Sequence, residues 1–141
     1  MSTNTIWTRA DLERLELNAG MFGFGAITAS WDEDVQALFV QLDERSEERA
    51  VVLHTWAQSM QVVDMVAGQY SKTDPLLRLH LRGRWSTSRN AMPLLPAGQV
   101  LVVTAAWPVE SPEAAEITAG VAGDPDLLVR RLMTLAERPQ L

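Results

Sequence analysis

Apolar positions along this chain repeat with two different periods, and the helices and strands it predicts follow from which period holds where. Thr8 is a helix N-cap with Asp11 three residues on, a variant of the capping box, and Trp7 and Leu12 are placed as the flanking hydrophobic staple. With Leu12 and Leu15 as its apolar stripe, a first helix is predicted over Arg9–Asn18, ending at Gly20. Ser30 and Glu33 repeat the capping pattern, and Val35, Leu38, Phe39 and Leu42 follow at the spacing of one helical face. Asp32, Glu33 and Asp34 would then occupy the first turn, where the helix dipole favours negative charge. This predicts a helix from Trp31 to about Arg45. A third helix is predicted from Ala50 to Gly68, on the spacing of Val52, Leu53, Trp56, Met60, Val63 and Val66, with a short strand over Ala50–His54 as the competing reading.

The period then changes to two. Leu77, Leu79, Leu81 and Trp85 alternate with Arg78, His80, Arg82 and Arg84, which predicts a half-buried strand over Leu76–Trp85. Gln99–Trp107 (QVLVVTAAW) is β-branched and bounded by Gly98 and Pro108, a second strand that could pair antiparallel with the first across a Ser86–Gly98 loop. Ser111-Pro112-Glu113 opens a short helix, and Asp124-Pro125-Asp126 opens a last one with Leu128, Leu132 and Leu135 as its stripe, ending at Arg138-Pro139. Met21–Ala29 reads as a short strand or a buried crossing eased by glycine; Gly20, Gly23 and Gly25 do not make a dinucleotide fingerprint. The whole predicts one α+β domain over residues 1–141: helix-rich, with four to five helices packed on a small antiparallel element near 76–85 and 99–107. An all-α fold is the alternative.

Composition narrows the function. The chain has 141 residues, 47% of them hydrophobic, enough for a packed core without metal or disulfide support. It contains no cysteine, which excludes thiol chemistry and zinc–thiolate sites. A net charge of -6 and a single lysine, Lys72, argue against nucleic-acid binding. The sequence shows neither a secretory signal nor an apolar run long enough for a bilayer, so no membrane association is expected and the expected address is the cytoplasm. No metal or cofactor is expected: no HExxH or HxH spacing occurs, and His54 and Asp64 would stand about 15 Å apart on one helix. No GxSxG elbow surrounds a serine, and Tyr70, the only tyrosine, has no evident partner.

One segment departs from the acidic average. Arg78, His80, Arg82, Arg84 and Arg89 follow one another with no acid among them, and on a strand the first four share a face. They form a partner- or anion-binding candidate, against the alternative that Asp and Glu from elsewhere in the chain pair them internally. On a helix the ridge would dissolve, because alternate residues lie about 200° apart. Two functional readings follow. In one, the chain is a non-catalytic protein-interaction domain (accessory subunit, adaptor, chaperone or immunity-type protein) with a protein partner or self-association, supported by five Trp and six Met. In the other, it is a small enzyme or ligand-binding domain. There the arginines orient a small anionic ligand and His80 is the acid or base. The first expects a flat or convex apolar surface; the second expects a pocket holding His80 with a carboxylate nearby.

Overall fold

A computed structural model describes residues 7–43, 45–86 and 95–137. It is an α+β fold with helices α1 (Arg9–Met21), α2 (Arg49–Gln58), α3 (Pro112–Gly120) and α4 (Pro125–Glu137). Its strands are β1 (Ile27–Asp32), β2 (Ala37–Leu42), β3 (Met60–Gly68), β4 (Leu76–Trp85) and β5 (Val100–Pro108). The strands form one sheet in the order β1-β2-β5-β4-β3. All neighbours are antiparallel except β2 and β5, which run parallel. Helix and strand are therefore nearly balanced. The small antiparallel element expected from the sequence is the β4–β5 part of a five-stranded mixed sheet.

Helix α1 starts as its sequence dictates. The Thr8 hydroxyl accepts from the Asp11 amide, and the Asp11 carboxylate accepts from the Thr8 amide. It runs to Met21, past the expected Asn18. The glycines beyond make the turn into the sheet: Gly23 and Gly25 have φ of 84° and 78°. A Cβ at Gly25 would also lie 2.8 Å from a Val52 methyl. Close packing and left-handed backbone thus account for the glycine run.

The expected helix from Trp31 to Arg45 is instead the β1–β2 hairpin. Asp32 Oδ1 accepts from the amides of Asp34 and Val35, so the acidic run closes a turn and caps no helix. Gln36 completes the reversal at φ 54°. After it, Leu38, Val40 and Leu42 are buried at period two. That alternation coexists in the sequence with the helical spacing of Val35, Leu38, Phe39 and Leu42. Pairing with both β1 and β5 selects it.

The expected Ala50–Gly68 helix stops at Gln58, and β3 begins at Met60. Val63, assigned above to a buried helical face, is 74% exposed. Strand β3 carries a bulge between Val62 and Asp64, which resets its alternation and conceals its period. Opposite that bulge, a Cβ on Gly83 would fall 2.0 Å from the Gln61 carbonyl oxygen. The glycine in β4 is what lets the two backbones approach.

One core holds the layers together. Leu38, Val40, Leu79, Leu81, Leu101, Val103 and Trp107 from the sheet meet Leu15, Leu53, Trp56, Ile117, Leu128 and Leu132 from all four helices. Phe24, Trp56 and Trp85 pack together at its centre, Trp56 edge to face with each of the other two, with ring centroids 4.9 to 6.0 Å apart. The Trp56 indole donates to the Phe24 carbonyl at 3.0 Å, and the Trp7 indole to Gln99 Oε1 at 3.2 Å. The tryptophans thus serve the domain's own interior. Among the described residues, no helix is long and apolar enough to cross a membrane.

Candidate functional site

Because strands alternate, each core-facing residue of β4 has neighbours pointing the other way. Those neighbours are Arg78, His80, Arg82 and Arg84, so the strand reading and its shared face both hold. Arg89 lies outside the described residues. The cross-strand partners of the four are Ala106, Thr104, Val102 and Val100 on β5. Val102 stands beside Phe39 of β2, and Thr104 beside Gln41. On the other flank, Asp64 and Val66 of β3 stand opposite Arg82 and His80. Phe39, Val66 and Val100 lie outside the core, Val102 is buried at 9% exposure, and among the described residues no helix covers this side of the sheet.

The face has an apolar middle. Val35, Ala37, Phe39, Val66, Val100 and Val102 line a depression of about 430 Å³ together with His80 and Arg82. Val35 is 60% exposed and Val66 44%. Another depression, of about 670 Å³ beside Glu47, Arg49, Trp107 and Glu113, has a more polar lining of mixed charge.

Two arginines of the ridge are neutralised, Arg82 by Asp64 on the adjacent strand and Arg78 by Asp74 four residues earlier in the chain. Arg82 makes a fork with Asp64, Nε and Nη2 each donating to one carboxylate oxygen at 2.6 Å. That bond is the main cause of the Asp64 carboxyl lying below its usual range. Asp64 is therefore on a strand bound to Arg82, and the helical separation from His54 does not exist. Arg78 is buried, ion-paired to Asp74, and stacked 3.9 Å over the Tyr70 ring, the partner that Tyr70 lacked in the sequence. The Asp74 carboxylate accepts from the amides of Tyr70 and Leu76, and these bonds, with Arg78, hold it below the usual range.

His80 Nδ1 shares a hydrogen bond with the Thr104 hydroxyl at 2.7 Å. Burial lowers its pKa, and the charges of Arg78 and Arg82 add to the effect. It is thus held toward the neutral state, and the carboxylate opposite its neighbour is already committed to Arg82. Arg84 differs from the other two arginines. It is exposed, opposite Val100 and Gln61, and has no ion-pair partner among the described residues.

The sequence does not mark Phe39, Val66, Val100 and Val102 as site residues. Phe39 and Val66 fell on segments read as helices. Val100 and Val102 lie in a continuous apolar run whose alternation is invisible until one side of the sheet is found uncovered. Comparison with family models, with curated proteins and with solved structures gives no match to this chain.

Proposed function

We propose that this chain is a non-catalytic cytoplasmic protein-interaction domain that engages its partner through the uncovered face of the sheet. The observation that carries this reading is the apolar strip of Phe39, Val66, Val100 and Val102 on the side of the sheet that no helix covers among the described residues. A contiguous apolar patch with a polar rim is the anatomy of a protein contact surface. His80, Arg82 and Arg84 of β4 stand between the β5 valines and Val66 of β3, and Asp32 and its turn bound the strip on the other flank. This reading expects a flat or convex surface; the face is instead a depression of about 430 Å³ that His80 helps to line. The competing reading, an anionic-ligand site with His80 as acid or base, finds less support. His80 is hydrogen-bonded to Thr104, and Arg78 and Arg82 are engaged by Asp74 and Asp64.

A photo-activated cross-linking residue at position 39 tests the proposal, with the same residue at exposed position 127 on α4 as control. Protein adducts in the cell are expected from position 39 and absent from position 127. Equal yields from both positions, or none from position 39, would sink it.

A further inference from the structure

The occupant of the face can be named from the distribution of its charges. One row of residues crosses the sheet from edge to edge. Asp32 of β1 stands opposite Ala37 of β2. Ala37 precedes Leu38, whose partner is Leu101, so Ala37 lies beside Val100 of β5. Val100 stands opposite Arg84 of β4, and Arg84 opposite Gln61 of β3. At the β1 end of this row, the turn adds exposed Glu33 and Asp34, whose carboxylates have no ion-pair partner among the described residues. At the β4 side stands Arg84, also without one. Unpaired charges of opposite sign therefore flank the apolar centre, with β5 in the middle of the sheet.

We infer that the partner on this face is a second copy of the same chain, related by a twofold axis parallel to the strands and running over β5. Such an axis exchanges the two flanks while keeping each row in register. Val100 and Val102 of one protomer then lie over those of the other. Arg84 lies over the partner protomer's β2, next to its acidic turn, and the reciprocal contact forms on the opposite flank. The other in-plane axis, perpendicular to the strands, would lay β4 over β4 and keep Arg84 away from the partner protomer's acidic turn. Only the axis along the strands brings the unpaired charges of opposite sign together. Five strands about 4.8 Å apart, each about 20–30 Å long, present a face on the scale of the roughly 800 Å² per partner that stable interfaces bury. A twofold interface needs a self-complementary surface, and this row supplies one.

This inference rests on the interaction reading above, and the following test separates the two. Sedimentation equilibrium of the purified full chain over a range of concentrations is expected to give a dimer. Arg84→Glu is expected to weaken the dimer at least tenfold, and the double substitution Glu33→Arg with Asp34→Arg to do the same. All three changes together are expected to restore most of the loss, because the swapped charges meet again across the axis. All three positions are exposed, and circular dichroism checks that each variant keeps the fold. A monomer at every concentration overturns the inference, as does a dimer indifferent to Arg84→Glu or a triple variant no better than the worse parent. If position 39 cross-links in the cell to a different protein while the purified chain is monomeric, the interaction reading stands and the second copy does not. Absence of any adduct from position 39 removes both.

Discussion

The residues at the uncovered face and its rim are fixed by short-range chemistry that is open to direct measurement. His80 has its pKa depressed by burial and by Arg78 and Arg82, so between its folded value and about 6.5 the unfolded chain binds more protons than the folded one. Its contribution to stability is complete above about pH 6.5 and falls away as pH drops through the folded value. Thermal melts are therefore expected to show stability declining just below pH 6.5, with the slope reduced in His80→Gln. An unchanged slope would place the titration elsewhere. Asp64 and Asp74 are also depressed, which adds a second loss below about pH 4, absent at the corresponding site in Asp74→Asn. Gly83 makes a sharper prediction. With the Gln61 carbonyl 2.0 Å from any added Cβ, Gly83→Ala must push two strands apart, and a loss of about 3 kcal/mol is expected in chemical denaturation.

At the scale of elements, the segment from residue 31 to 45 separates two readings of one sequence. A helix cap at Ser30 would cost about 1 kcal/mol when replaced by alanine. In the hairpin Ser30 is an exposed strand residue, and Ser30→Ala is expected to change stability by less than about 0.5 kcal/mol. Asp32→Ala removes the acceptor of two turn amides and is expected to cost about 1 kcal/mol. Denaturation of the two variants side by side decides between the readings. The difference arises because Leu38, Val40 and Leu42 satisfy period two as well as Leu38, Phe39 and Leu42 satisfy helical spacing. Local propensity does not break the tie. Hydrogen-bonding partners on both sides of β2 do. The α2–β3 junction is hidden for a related reason, since the bulge at Val62–Asp64 spoils the alternation that would mark a strand.

At the scale of the molecule, placing all the described helices on one side of a five-stranded sheet leaves the other side to be explained. This side is the basis of the expected dimer, and Val66→Asp, which adds a charge to the strip at a 44% exposed position, is expected to weaken association more than it weakens the fold. Sedimentation and melting on the same sample separate the two effects. The sequence by itself determined the α+β class, the α1 cap, strands β4 and β5, the last two helices, and the shared face of Arg78, His80, Arg82 and Arg84. Each of these is written in local residue order, as a cap at its start or an alternation along its length. Only the tertiary structure decided that Asp74 and Asp64 neutralise two of those arginines, that Arg84 is left without an ion-pair partner among the described residues, and that Phe39 and Val66 join Val100 and Val102. All but the Asp74–Arg78 pair, which lies four residues apart in the chain, depend on which strands become neighbours. Strand order is set by the packing of the whole sheet against its helices, and no single window of sequence contains it.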